Sequence, residues 1–95
     1  MSTRIRHLTR ANLCRGMVQV SLDLKTVDDA LRMASVAVAA GADWLEIGTP
    51  LALSQGTTAV RELRNAFPGH PLVADLNIMD GGYCEAALYA DAGAD

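Results

Sequence analysis

Leu72-Val73-Ala74-Asp75-Leu76-Asn77-Ile78-Met79-Asp80-Gly81-Gly82 decides how the rest of the chain is read. An apolar run ends in a cluster of two carboxylates and an amide. Two glycines follow, and then a segment with helical character. Side chains of a strand alternate between faces, so Asp75 and Asn77 fall on one face and Leu76 on the other. Asp80 lies beyond, in a turn that the glycines keep flexible. Strand, polar turn and helix form one βα unit, and in parallel α/β architectures ligands and catalytic groups gather at the carboxyl ends of the strands.

Outward from that unit the pattern recurs. Residues 17–24 are rich in β-branched and apolar types and read as a first strand ending near Asp23. Thr26 is placed to cap a helix with Asp28 and Asp29 in its first turn, where carboxylates suit the positive end of the dipole. Val27, Leu31, Ala34 and Val38 share one face of that helix, and Gly41 supplies its left-handed stop. Trp44-Leu45-Glu46-Ile47 is a second short strand, followed at once by Gly48-Thr49-Pro50. Residues 57–67 predict a second helix, with Val60, Leu63 and Phe67 inward and Arg61, Glu62 and Arg64 outward, stopped by Pro68-Gly69. Pro71 to Leu76 is the third strand. Residues 82–92 predict a third helix, with Tyr83, Ala86, Ala87 and Ala90 turned to the sheet.

The order βαβαβα, with short connections and near-continuous apolar strands, predicts parallel pairing through right-handed crossovers. One four-residue echo supports it: Ala40-Gly41-Ala42-Asp43 precedes the second strand, and Ala92-Gly93-Ala94-Asp95 stands where a fourth would begin. Three βα units cannot close a barrel, which needs about 200 residues or more. The fold expected is therefore α/β, the N-terminal βαβαβα portion of a (β/α)8 TIM barrel over residues 17–95, with a split half-barrel completed by a partner as the alternative.

Bulk composition bounds the function. The chain has 95 residues, 51% hydrophobic and 20% charged, with a net charge of -3. That is a globular composition, and its mild acidity argues against nucleic acid as the main partner. No apolar run approaches the ~18 residues of a membrane span. Cys14 and Cys84 are far apart and form no CxxC pair, as expected of free thiols in a reducing cytoplasm, with Cys84 read as a core residue. Residues 1–16 carry Arg4, Arg6, Arg10 and Arg15 without an acid or an apolar signal core, and read as a basic, poorly ordered leader.

Asp23, Glu46 and Asp75 occupy equivalent places at the ends of successive strands. A single carboxylate there is as readily a solvated cap or an ion-pair partner, but three in one structural position favour a shared site. Three carboxylates repel one another unless a cation or proton intervenes. Every candidate ligand is an oxygen, which selects a hard cation, Mg2+ first. Such an ion, held by one or two carboxylates, suits the stabilisation of an enediolate. His7 and His70 read as surface residues. Thr49 and Ser54 read as helix caps, and Gly81-Gly82 as a plain turn in preference to an anion site.

At these residues the chain resembles the orotidine 5'-phosphate decarboxylase superfamily. The likeness is carried by Val20-Ser21-Leu22-Asp23-Leu24, by Glu46-Ile47-Gly48-Thr49-Pro50 and by Ala74 to Gly82. Within the superfamily the Glu-Ile-Gly-Thr-Pro run, the Met79-Asp80-Gly81-Gly82 turn and Tyr83-Cys84-Glu85-Ala86 look most like the 3-hexulose-6-phosphate synthase group, ahead of the 3-keto-L-gulonate-6-phosphate decarboxylases. The resemblance implies a cytoplasmic homodimeric barrel that acts on a sugar phosphate and uses Mg2+, adding formaldehyde to ribulose 5-phosphate. By position it implies Glu46 and Asp75 as metal ligands, and Asp23, Asn77 and Asp80 as catalytic and substrate-binding groups, Asp80 reaching into the partner subunit's site. One departure stands out. The family's aspartate-x-lysine-x-x-aspartate signature has Asn77 where the lysine belongs, and an amide brings neither its charge nor its transferable proton. A catalytically inactive barrel portion serving dimerisation or regulation is the alternative that this departure raises.

Overall fold

A computed structural model describes residues 16–95; the basic leader with its arginines, His7 and Cys14 lies outside the described residues. The described elements run β1 (Gln19–Leu22), α1 (Val27–Ala39), β2 (Trp44–Ile47), α2 (Thr49–Gln55), α3 (Thr57–Ala66), β3 (Leu72–Ala74) and α4 (Gly82–Ala92). The strands form one parallel sheet in the order β1-β2-β3, with Ser21 opposite Glu46 and Glu46 opposite Val73. This is the expected βαβαβα portion of a (β/α)8 barrel, with one helix more than the sequence pattern suggested.

The register sorts the side chains. Val20, Leu22, Leu45, Ile47, Leu72 and Ala74 share the face that the helices cover. Against it pack Ala30 and Ala34 of α1, Leu51 and Ala52 of α2, and Ala59, Val60 and Leu63 of α3, all buried. Small residues at the helix contacts let the helices approach the sheet closely, while the Leu and Ile of the strands fill the space between. Gln19, Ser21, Trp44, Glu46 and Val73 alternate onto the opposite face, where none is fully buried.

Helix α1 starts as its sequence dictates. The Thr26 side chain accepts from the Asp29 backbone N–H at 3.2 Å. The Arg32 guanidinium and the Thr26 hydroxyl hold the Asp29 carboxyl below its ordinary value. Helix α2 was missed because Gly48-Thr49-Pro50 reads as a loop; Pro50 in fact sits in the first turn of the helix, where its missing N–H costs nothing. Its far end is tied to the start of α1: Gln55 Oε1 accepts from the Val27 N–H at 3.0 Å, and Ser54 Oγ donates to the Lys25 carbonyl at 2.6 Å. Ser54 thus anchors a neighbouring loop and does not cap the helix that follows, α3, whose cap position is Gly56.

The repeated Ala-Gly-Ala-Asp step has one structure in both copies. Gly41 and Gly93 stand at φ 102° and 129°, conformations that a side chain resists. The following alanine donates five residues back, Ala42 to the Ala37 carbonyl and Ala94 to the Tyr89 carbonyl, both at 3.0 Å. The aspartate then reaches the preceding strand. Asp43 Oδ2 accepts from the Val18 N–H at 2.9 Å, and Asp95 Oδ2 from the Leu72 N–H at 3.0 Å. The return bonds match as well, Asp43 N–H to the Val18 carbonyl at 2.9 Å and Asp95 N–H to the Leu72 carbonyl at 2.8 Å. Each copy seats the chain beside a strand edge with helix stop and strand start in one motif.

Three side-chain expectations are corrected. Arg64 does not face outward. It ion-pairs with Asp95, donates to the Gly93 carbonyl from Nε at 3.0 Å and from Nη2 at 2.7 Å, and donates to the His70 carbonyl at 2.7 Å. Helix α4 turns Tyr89, not Tyr83, to the core. Tyr83 is 88% exposed and Ala86 is exposed, while the Tyr89 hydroxyl donates to the Ala52 carbonyl at 3.3 Å. Cys84 is exposed and free rather than core. In an alanine-rich helix with apolar residues on every side, period alone does not single out the buried face.

The Arg64–Asp95 pair leaves Asp95 nearly sealed from solvent, so removing the cation strands a carboxylate. Arg64→Met in the complete protein is expected to lower unfolding stability by about 3 kcal/mol, read from urea denaturation midpoints. A loss below about 1 kcal/mol would show the pair to be no more than a surface contact. Asp29 makes the stability depend on pH. Its folded pKa lies below the ordinary 3.8, so its stabilisation is present above that value and is lost as pH falls through the folded pKa. Asp29→Asn is therefore expected to destabilise at neutral pH and to become indistinguishable from the parent below that range. A gap independent of pH would contradict the assignment.

Candidate functional site

The carboxyl edge of the sheet is built by three consecutive turns. After β1 comes Asp23, after β2 Gly48-Thr49, and after β3 Asp75-Leu76-Asn77. Glu46 sits one residue before the end of β2, on the face that the helices leave open. Continued alternation places Asp23, after Ser21, and Asp75, after Val73, on that same face. Leu76 turns back and packs against the core.

Each acid has its own setting. Glu46 Oε1 accepts from Gln19 Nε2 at 2.6 Å, a bond across the β1–β2 pair that fixes the carboxylate on the open face. Asp23 Oδ1 accepts from Ser21 Oγ at 3.1 Å. A Cβ at Gly48 would stand 1.8 Å from Asp23 Oδ1 and 3.3 Å from the Leu22 carbonyl, so Asp23 occupies space that only a glycine leaves open. The backbone of Asp75 is held from both sides, by the end of β2 and the start of α2. Its N–H donates to the Ile47 carbonyl at 3.0 Å, and its carbonyl accepts from Thr49 Oγ1 at 2.9 Å. Asn77 Nδ2 donates to the same Thr49 Oγ1 at 2.8 Å. Trp44 shares the open face, and its buried indole N–H has no hydrogen-bond partner among the described residues.

Asn77 takes φ 52°, the one positive value at a non-glycine position among the described residues. Asparagine tolerates this left-handed conformation far better than most side chains, and the turn at the end of β3 uses that tolerance. Asp80 follows in the exposed turn before α4, with Gly81 at φ 65° as the cap position. The sequence-predicted residues are therefore placed on one edge of the sheet. Among the described residues, however, no group of three or more His, Cys, Asp or Glu side chains is gathered closely enough to hold a metal ion. Glu46 in β2 and Asp75 just after the adjacent β3 stand as two carboxylate oxygen donors along the same edge. Pairs of carboxylates with water and substrate oxygens completing the shell are how Mg2+ is commonly bound.

Other candidates fall away. His70 lies before β3, at the amino edge, with its ring edge-on to Phe67 at 6.2 Å. Thr49 is not a helix cap; its hydroxyl joins the ends of β2 and β3. Gln19, Ser21 and Gly48 were missed as site residues. The signal for the first two was present, since Gln19 and Ser21 precede Asp23 at the strand period of two. Gly48 has no signal in sequence, because its role depends on where Asp23 sits.

No helix among the described residues is long and apolar enough to cross a membrane. A family model described as Orotidine 5'-phosphate decarboxylase / HUMPS family matches residues 16–95. The chain is 40% identical over 78 residues to the 3-hexulose-6-phosphate synthase of Bacillus subtilis, covering 82% of this chain and 37% of that protein. Among solved structures it matches 3-keto-L-gulonate-6-phosphate decarboxylase from Vibrio cholerae with TM-score 0.79 and 42% identity, over 83% of this chain and 36% of that one. It also matches 3-hexulose-6-phosphate synthase from Salmonella typhimurium with TM-score 0.79 and 35% identity, over 84% and 37%. The chain thus spans little more than a third of the length of these relatives.

Gly48 offers a direct test of the edge. Gly48→Ala is expected to displace the Asp23 carboxylate, whose flexible side chain gives way to the new Cβ, with the Leu22 carbonyl yielding by a few tenths of an ångström. Loss of turnover by tenfold or more in the complete protein, at a stability change within about 1 kcal/mol, is the expected result. Unchanged turnover would remove Asp23 from the site.

Proposed function

The chain belongs to the orotidine 5'-phosphate decarboxylase / HUMPS family, and from that premise we propose that the complete protein is a 3-hexulose-6-phosphate synthase-like aldolase, a carbon–carbon lyase in reverse, joining formaldehyde to ribulose 5-phosphate in the cytoplasm. The observation that carries this reading is the common edge. Asp23 and Asp75 follow the ends of β1 and β3, Glu46 sits one residue before the end of β2 between them, and Asp80 lies in the turn beyond. Glu46 and Asp75 would hold Mg2+. When bound, the ion supplies positive charge where the substrate's enediolate becomes negative.

The chain's own groups do the remaining work. Gln19 holds Glu46 in one orientation. Asp23, packed against Gly48, is exposed and free to accept a hydrogen bond from a sugar hydroxyl. Asp80 is exposed and free to exchange a proton with a substrate bound across the edge, in its own subunit or in the second subunit of a homodimer. Asn77 spends one amide N–H on Thr49 and keeps its second N–H and its carbonyl oxygen for a substrate hydroxyl. It carries no charge and has no proton to give, so a reaction that needs a lysine proton at this place is outside its reach. Addition to formaldehyde can close its own proton account without it: the Asp80 carboxylate takes the proton next to the ketone, the new carbon–carbon bond forms as the formaldehyde C=O π bond breaks, and the same carboxyl group returns that proton to the resulting alkoxide.

Asn77 also supports a second reading, a barrel portion without turnover that serves dimerisation or regulation. The two are separated by assaying the complete protein with ribulose 5-phosphate and formaldehyde. Turnover that EDTA abolishes and Mg2+ restores is expected, with Asp75→Asn and Glu46→Gln reducing it by about a hundredfold or more. Activity on a 3-keto sugar acid phosphate instead would move the assignment to the decarboxylase. Activity that appears only in Asn77→Lys would establish the second reading.

A further inference from the structure

Both backbone groups of Asp75 are bonded, the N–H to the last residue of β2 and the carbonyl to the first residue of α2, and the bond to its carbonyl comes from a side chain, Thr49, that the proposed chemistry does not use. That hydroxyl has one proton. It donates it to the Asp75 carbonyl and in turn accepts the Asn77 amide at 2.8 Å. The direction of the chain is therefore set: Asn77 N–H to Thr49 oxygen, Thr49 O–H to Asp75 carbonyl. β3 is only three residues long and its ladder ends at Ala74, so nothing in the sheet beyond the Ile47 bond holds the next residue. The left-handed backbone at Asn77 turns its side chain back over the end of β2.

We propose that Thr49 is a positioning residue for Asp75, and that Asn77 in its left-handed conformation is the anchor that orients the Thr49 hydroxyl. On this view the residue at position 77 exchanges a cation for a fixed turn: it gives up charge and holds the neighbouring carboxylate in place. The functional part of this inference rests on the proposed aldolase reading; the structural part does not. A carboxylate offered from a strand end with one free backbone side would sample several directions, and small displacements of a catalytic group reduce rate steeply.

The test uses the complete protein with Thr49→Val, Thr49→Ser and Asn77→Gly. The first keeps shape and removes the hydroxyl, the second restores the hydroxyl, and the third keeps the positive φ while deleting the amide. Amide hydrogen exchange is followed at Asp75, bonded to Ile47, and at Met79, which donates to the Asn77 carbonyl at 3.1 Å. Thr49→Val is expected to speed exchange at both by about tenfold or more while leaving Leu45 unchanged, with Asn77→Gly moving the same way and Thr49→Ser resembling the parent. In turnover, Thr49→Val is expected to lower kcat by about tenfold or more with KM within about twofold. Parental exchange in Thr49→Val would overturn the proposal, as would equal damage in Thr49→Ser or a rise that spreads to Leu45. If the parent protein has no turnover, the aldolase reading falls while the exchange pattern still decides whether Thr49 and Asn77 position Asp75.

Discussion

Register between parallel strands is the constraint on which the rest of this molecule depends. Ser21 faces Glu46 and Glu46 faces Val73, and a slip of one residue would exchange the two faces of a strand completely. The penalty for such a slip is visible in the burial. Leu22, Leu45, Ile47 and Leu72 are wholly removed from solvent, and each would be exchanged for a neighbour such as Ser21 or Glu46. Hydrophobic burial of about 1.5–3 kcal/mol for each large side chain makes the register single-valued. The same alternation that buries the leucines delivers the polar residues to the other face, so the core and the site have one cause.

The Ala-Gly-Ala-Asp steps extend that constraint along the chain. A helix that stops one residue late would feed the next strand in the wrong phase. At Gly41 and Gly93 the stop is set by backbone that favours glycine, and at Asp43 and Asp95 the next residue is bonded to the preceding strand through both its N–H and its carboxylate. Arg64 adds a third tie at the second copy, linking α3, the turn before β3 and the Gly93 carbonyl. Helix end and strand phase are thereby fixed together rather than separately.

What was legible in the sequence follows from how local its cause is. β2, α1 and the start and end of α4 could be read because period, cap and stop lie within a few residues of each other. The acids of the edge could be read for the same reason, each standing at the end of an apolar run. Apart from α2 and the buried face of α4, whose local patterns are ambiguous, the features that could not be read have causes 25 residues or more away. Arg64 looked like one more charge on an exposed helix face, and its partners are Gly93 and Asp95. Thr49 looked like a cap, and its partners are Asp75 and Asn77. Gly48 looked like a turn, and its reason is Asp23. In each case the residue satisfies a backbone group or yields a volume belonging to another βα unit, which no pattern within its own unit encodes.

Asn77 illustrates how far such distant causes reach into chemistry. Compared with the lysine of the signature it resembles, it is a loss, one charge and one proton fewer beside several carboxylates. In the fold it is also a gain, because asparagine is the side chain other than glycine best suited to a φ of 52°, and its amide reaches Thr49. A lysine in the same conformation would carry the cost of a left-handed backbone and would offer an ammonium in place of a short, rigid amide. The two residues therefore solve different problems at one position. Lysine would bring a positive charge to the edge, while asparagine fits the backbone there and bonds Thr49. Through Thr49 the asparagine is tied to the backbone of Asp75, so position 77 bears on the geometry of the turn and not only on its charge.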